Sequence, residues 1–134
     1  MEELPCKIWN KIEDVEKEAT IRVSSDDSSE LVVTSVGGAS WQAQAGNPLA
    51  SLNLIREQIE PQGLYLLCCG SRLDVSASGM ARGSRATRKV YRLELGKQAM
   101  RENMVDIFDP TEKENVATLQ DQREFYQQWA ASLG

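Results

Sequence analysis

The sequence predicts an α+β fold, in which a mixed, largely antiparallel sheet carries two main helices packed on it. Three observations indicate this class: several short runs with apolar residues at alternate positions, one run that is apolar throughout, and two segments with helical spacing. The chain has 134 residues and contains neither an internal repeat nor a linker-like segment. We therefore expect residues 1–134 to form a single domain.

In the first half of the chain, strands are predicted from alternation and β-branched residues. Thr20–Ser24 alternates, and Leu31–Val36 is typical of the returning strand of a hairpin, across a polar turn at Asp26 and Asp27. Trp41 extends the apolar face of that second strand. Residues 1–18 place their apolar side chains in a charged context and predict only a short strand or a helical turn.

The second half contains a run, Leu64–Cys69, that is apolar at every position. This pattern indicates a strand covered on both faces, and we expect it to be the central strand of the sheet. Shorter strands are predicted around residues 73–76, at 90–95 and at 105–108. The segment between residues 76 and 89 has no periodicity and predicts a long basic connection.

Both helices have recognisable start signals. Asn47 and Pro48 predict a helix over about 48–60, since Asn caps free amides and Pro suits the first helical position. Thr118 and Asp121 resemble a capping box and predict a second helix over about 118–132. Its apolar stripe is expected to face the core, and consists of Leu119, Phe125, Tyr126, Trp129 and Leu133.

Composition argues against several kinds of chemistry. The absence of histidine removes the usual nucleophile triads, imidazole metal ligands and the commonest general base. Cys6, Cys68 and Cys69 lack metal-ligand spacing and are expected to be small apolar residues in a reducing compartment. We therefore expect no catalytic, metal or cofactor site, although Glu57, Glu60 or Asp74 could in principle supply carboxylate catalysis. The acidic N-terminal segment lacks a signal-peptide centre, which favours a cytoplasmic location without membrane association.

Charge is segregated along the chain, whose net charge is -5. The first 31 residues carry nine acidic and four basic side chains, whereas residues 72–101 carry eight basic and two acidic ones. From residue 102 onward, seven acidic residues outnumber two basic ones. Such a chain can attract partners of either sign.

Three charged segments are candidates for binding. Gly79–Arg85 could cradle a phosphate, although it lacks the P-loop spacing. The run Arg82–Arg92 could bind RNA, but only Tyr91 is nearby to stack on a base. Asp26, Asp27 and Glu30 could imitate phosphates toward a basic protein partner.

Several spaced motifs in the second half suggest a family. They are Arg72-Leu73-Asp74-Val75, Ser78-Gly79-Met80-x-Arg82, Ala86 through Leu93, Leu95-Gly96-Lys97, Val105-Asp106-Ile107-Phe108 and Gln122-x-x-Phe125-x-x-x-Trp129. Together they resemble immunity proteins encoded beside polymorphic or contact-dependent growth-inhibition toxins of bacteria. The resemblance covers roughly residues 63–133. Ala77 stands where a proline is expected, and Arg82-Gly83-Ser84-Arg85 replaces a more Gly-rich segment.

The resemblance implies a non-enzymatic inhibitor that binds a cognate toxin domain, often a nuclease, and blocks its active site or substrate surface. We expect a one-to-one complex, without direct nucleic-acid binding. The residues expected to bind the partner are Arg72, Asp74, Met80, Arg82, Arg85 and Arg88, with Asp26, Asp27 and Glu30 as the alternative patch. A small RNA-binding module that uses the basic segment over residues 72–92 is the alternative function.

Overall fold

The computed structural model describes residues 2–24, 29–77 and 88–134, and it confirms the α+β class. The described strands are β1 (Glu2–Asn10), β2 (Val15–Val23), β3 (Glu30–Ser35), β4 (Ser40–Gln44), β5 (Leu64–Leu66), β6 (Val75–Ser76), β7 (Lys89–Arg92) and β8 (Met104–Asp106), and the helices are α1 (Pro48–Ile59) and α2 (Leu119–Ser132). A five-stranded sheet has the order β4-β3-β2-β1-β5, and a three-stranded sheet has the order β6-β7-β8. Each pairing in these two sheets is antiparallel.

The N-terminal hairpin differs most from the sequence prediction. β1 and β2 pair along their whole length, from Glu2 opposite Val23 to Asn10 opposite Val15. The prediction of only a short strand or helical turn over residues 1–18 was therefore wrong. Alternate residues of β1 do face the core, namely Leu4, Cys6 and Ile8, but charged and proline residues between them weaken the apolar signal.

The next strand follows the prediction, whereas Trp41 lies on a separate strand, β4, rather than extending the preceding one. β3 returns antiparallel to β2 and places Leu31 and Val33, both fully buried, against the core. β4 then pairs with β3, and its Trp41 and Ala43 pack on the same core. The predicted turn at Asp26 and Asp27 lies outside the described residues.

Helix α1 closes one face of the five-stranded sheet. The Asn47 side chain accepts a 2.9 Å hydrogen bond from the Ala50 amide, and Pro48 occupies the first turn, as predicted. Leu52, Ile55 and Ile59 have no exposed surface and form the buried stripe of the helix. The core therefore lies between α1 and the inner face of this sheet.

The apolar run Leu64–Cys69 lies where the two sheets meet. Only Leu64–Leu66 forms a strand, and β5 is the edge strand of the five-stranded sheet, so the prediction of a central strand was wrong. The run is nevertheless buried, because a later segment covers it: the Thr111 amide donates to the Leu67 carbonyl, and the Cys69 amide donates to the Asp109 carbonyl. The run thus connects the two sheets.

Helix α2 has the predicted cap but not the predicted burial. The Thr118 hydroxyl accepts a 3.1 Å hydrogen bond from the Asp121 amide. The stripe residues Leu119, Phe125, Tyr126 and Trp129 are only half-buried, and Leu133 is 41% exposed. The expectation that this stripe faces the core was therefore wrong, because α2 lies at the periphery and is attached largely through polar contacts near its two ends.

Candidate partner-binding surface

The structure describes three of the six residues predicted to bind the partner. Met80, Arg82 and Arg85 lie outside the described residues. Arg72 and Asp74 precede β6, whereas Arg88 lies immediately before β7. Val75, which follows Asp74, pairs with Arg92 at the far end of β7. Arg88 is four residues before Arg92, so the length of β7, about 13 Å, separates it from the Arg72–Asp74 pair. The described members do not form one cluster.

Arg72 and Asp74 bind each other. Arg72 donates from Nε and Nη2 to the two carboxylate oxygens of Asp74, at 2.8 and 3.0 Å, and from Nη1 to the Thr111 hydroxyl at 2.9 Å. The hydrogen bond to Asp74 raises the pKa of Arg72. The Arg72 side chain is only 13% exposed. This bidentate pair therefore clamps the start of β6 to the segment around Thr111.

Arg88 is also engaged within the chain. Its Nη1 donates to Glu2 at 2.7 Å, its Nε lies 3.6 Å from the Asp106 carboxylate, and its guanidinium stacks 4.9 Å above the Phe108 ring centroid. These contacts connect the second sheet to the first strand. A partner that used Arg88 would have to share or displace them.

The alternative acidic patch is described only at Glu30, since Asp26 and Asp27 lie outside the described residues. Glu30 begins β3 opposite Gln44 and is half-buried. By the alternation of strand side chains, it shares a face with Val32 and Thr34. That face is the one opposite α1.

The five-stranded sheet has one face that α1 does not cover, and we call its β1 and β2 part the open face. Its side chains are Glu3, Pro5, Lys7 and Trp9 of β1 and Glu16, Glu18, Thr20 and Arg22 of β2. Six of these eight are exposed, while Trp9 and Thr20 are half-buried. Arg22 is neutralised by Glu3 at 3.4 Å. The open face is therefore a largely charged and polar surface.

One end of the open face carries a rigid aromatic group, the Trp9 cluster, formed by Trp9, Asp14, Tyr65 and Lys113. Asp14 accepts hydrogen bonds from Trp9 Nε1 at 2.9 Å and from Lys113 Nζ at 2.7 Å. The ring centroids of Trp9 and Tyr65 are 5.7 Å apart, and Lys113 Nζ lies 5.8 Å from the Trp9 ring. The bonds from Lys113 and Trp9 hold the pKa of Asp14 below its usual value.

The turn between β1 and β2 places Asp14 for these contacts. Asn10 Oδ1 accepts from the amides of Ile12 and Glu13 at 3.0 and 3.1 Å, which fixes the start of the turn. Asp14 has a φ of 52°, a left-handed conformation that Asp tolerates better than most residues. No local pattern indicates this cluster, because its members are far apart in sequence.

A groove of about 240 Å³ adjoins the open face beside β5. Three carboxylates line it, from Glu16, Glu18 and Glu112, together with one cation, Lys7. Within the part of the chain that the structure describes, these three glutamates form no ion pair. The groove is therefore a site of net negative charge.

The motif residues behind the family resemblance contact one another. Gln122 of α2 donates to the carbonyls of Gly70 and Arg72, and Trp129 Nε1 donates to the Lys97 carbonyl at 2.8 Å. Arg92 lies 3.6 Å from the Asp74 carboxylate. These positions form the framework of the second sheet and α2, which explains their spacing without assigning them a partner.

Among residues 2–24, 29–77 and 88–134, no helix has the length and apolar character needed to cross a membrane. Nor do these residues bring together three His, Cys, Asp or Glu side chains that could hold a metal ion. The predicted phosphate cradle, Gly79–Arg85, lies outside them. Comparison of the sequence with protein-family models and with curated proteins gave no match.

Proposed function

We propose that this chain is a cytoplasmic immunity protein that binds a cognate bacterial toxin domain one to one and blocks its active site or substrate surface. It acts by binding rather than by catalysis, and the favoured toxin is a nuclease. Support comes from the spaced motifs in the second half and from the segregated charge.

The observation that carries the proposal is the acidic groove beside the Trp9 cluster. Glu16, Glu18 and Glu112 present carboxylates that can imitate the phosphates of a nuclease substrate. Trp9 is of a residue type that dominates binding energy in interfaces, and Asp14 and Lys113 already hold its ring in place. Tyr65, which is buried, packs against the Trp9 ring. Binding thus requires little ordering of side chains.

This surface differs from the one expected from sequence. Arg72 and Asp74 satisfy each other, and Arg88 is bound to Glu2, so binding a partner through them would break existing contacts. Two predicted surfaces remain as alternatives. One consists of Met80, Arg82 and Arg85, and the other contains Asp26 and Asp27. The open face and its groove are the better supported choice.

Co-expression with the toxin domain encoded by the neighbouring open reading frame tests the proposal. We expect protection of the host cells and co-purification of a one-to-one complex. E16K/E18K is expected to weaken binding by about 100-fold or more, because two attractive charges become repulsive at a close interface. E57K/E124K is the matched control, since it changes two exposed glutamates on the helices by the same charge.

Three results would contradict the proposal or its details. Neither protection nor co-purification with wild-type protein would refute the immunity function. Loss of binding in R82A/R85A, with E16K/E18K unaffected, would place the interface on the basic connection. Binding to transfer RNA that weakens steeply as salt rises would favour the RNA-binding alternative.

A further inference from the structure

β4 is an edge strand of the five-stranded sheet, and the residues that the structure describes place no strand along its outer side. Proteins commonly protect such an edge with charged side chains or proline, which keep other strands from pairing with it. β4 has the sequence SWQAQ and carries neither. This edge is therefore able to accept a further strand.

The hydrogen bonds of β3 show which of its backbone groups face β4. The Ser35 amide donates to the Ala39 carbonyl, just before β4, at 2.8 Å. The Val36 amide donates in the opposite direction, to the Glu18 carbonyl of β2, at 3.0 Å. Because these directions alternate along a strand, the odd-numbered residues of β3 bond to β4 and the even-numbered ones to β2.

The register between β3 and β4 extends this alternation to the edge. Trp41 and Ala43 lie opposite odd-numbered residues of β3, so their amides and carbonyls face that strand. The backbone groups of Ser40, Gln42 and Gln44 therefore face outward. In agreement, a side chain of α1 reaches the Gln42 carbonyl, at 3.4 Å from its amide nitrogen.

The chain around this edge is uncharged. Residues 31–55 contain no Asp, Glu, Lys or Arg, although 26% of the whole chain is charged. Leu54, which is 39% exposed, precedes Gln58 by one turn on the side of α1 that reaches β4. Two copies of this acidic chain can therefore meet here without placing like charges opposite each other, whereas a highly charged partner would find no complementary charge.

We propose that two copies of this chain pair antiparallel through β4, which joins their five-stranded sheets into one. Ser40 lies opposite Gln44 of the second copy, and Gln42 lies opposite its own counterpart. This register uses all the outward backbone groups of β4, and each of these pairs can exchange two hydrogen bonds. Trp41, which is half-buried, then lies opposite Ala43 of the second copy, so that a large apolar side chain meets a small one.

Pairing through β4 leaves the open face accessible, because β3 lies between β4 and the hairpin of β1 and β2. Each copy in the dimer can therefore bind its own partner, and the ratio of one to one is kept. This inference goes beyond the proposed function and does not depend on it.

Sedimentation velocity of the intact protein over a range of concentrations tests the proposal. We expect a reversible dimer with twice the 14.9 kDa mass of the chain. Because residue 42 faces its own counterpart, Q42K and Q42E should each raise the dissociation constant of the dimer by about fivefold or more. An equimolar mixture of the two variants should restore dimerisation, since opposite charges then face each other. Q128K and Q128E, at an exposed position on α2, are the matched controls and should leave dimerisation unchanged.

Hydrogen exchange followed by nuclear magnetic resonance tests the register without a substitution. The amides of Ser40, Gln42 and Gln44 should exchange more slowly as the concentration of wild-type protein rises, because the dimer gives them acceptors.

Other outcomes would overturn the proposal. One is a wild-type protein that remains monomeric at millimolar concentration. Another is a dimer that Q42K and Q42E leave unchanged, or that their mixture fails to restore. A monomer whose binding to the proposed toxin domain is weakened by Q42K but not by Q128K would show that β4 accepts a strand of another protein instead.

Discussion

Arg56 on α1 donates from Nη1 to the side-chain oxygen of Gln122 on α2, at 2.7 Å, although 65 residues separate them in the chain. Arg56 also binds Glu60 at 2.6 Å and the carbonyls of Gly70 and Ala117 at 3.0 and 2.7 Å. Its side chain has no exposed surface. This arginine therefore joins both helices and the connection between the two sheets through one buried group.

Replacing Arg56 should be the most destabilising single substitution of a charged residue. R56M removes the guanidinium but leaves the Glu60 carboxylate, which is only 6% exposed, without its counter-charge. Breaking a buried ion pair from one side costs about 3–5 kcal/mol of the free energy of unfolding. Urea unfolding followed by circular dichroism measures the loss, and R123M, at an exposed site on α2, should change stability by less than about 0.5 kcal/mol. Equal losses in the two variants would contradict this role of Arg56.

Glu60 should make stability depend on pH. Burial raises its pKa above the usual 4.5, more than Arg56 and the Leu119 amide lower it. The folded state then binds the proton more tightly than the unfolded state. The contribution of Glu60 to the free energy of unfolding should therefore be fully present below pH 4.5. It should be lost as the pH rises through the pKa that Glu60 has in the folded protein. E60Q should remove this fall in urea unfolding between pH 4 and 7, whereas E57Q, at an exposed site, should retain it.

The helices were predictable from sequence because their signals are local. Asn47 with Pro48, and Thr118 with Asp121, lie within one turn of the groups they cap. The placement of the strands was harder to predict. Whether Leu64–Cys69 is central or at an edge depends on which segment covers it, and the covering residues Asp109 and Thr111 are about forty positions away.

Adding a side chain at Gly70 should destabilise the core. A Cβ atom there would lie 2.5 Å from Leu52 Cδ2 and 3.3 Å from Ile107 Cβ, both in the core. G70A should therefore lower the free energy of unfolding by about 1–3 kcal/mol through overpacking. G46A is the matched control, since a Cβ at Gly46 would meet no atom within 4 Å. A G70A protein as stable as G46A in urea would show that this close approach can relax without cost.

The candidate site shows why sequence alone could not locate the surface. Charge counts drew attention to the arginines after residue 71, but Arg72 and Arg88 are used inside the fold. The Trp9 cluster combines residues from β1, its turn, β5 and the segment near residue 113. A usable signal was present in the alternation of Leu4, Cys6 and Ile8, which implies that the residues between them face outward.

If the acidic groove steers a basic toxin toward the open face, association should be sensitive to salt. Attraction between exposed charges is screened over about 10 Å at 0.1 M salt, so raising the salt from 0.05 to 0.5 M should slow association by about tenfold or more. Dissociation should change much less, because short-range contacts control it. Stopped-flow fluorescence of this chain mixed with the proposed toxin domain measures both rates.

Neutralising the groove should reduce that salt dependence. E16Q/E18Q/E112Q removes the three carboxylates that line it, whereas E57Q/E102Q/E124Q removes three exposed carboxylates elsewhere and changes the net charge equally. If the position of the charges matters, only the first variant should flatten the plot of association rate against salt. Equal flattening in both variants would mean that net charge alone attracts the partner, and the groove would then lose its special role.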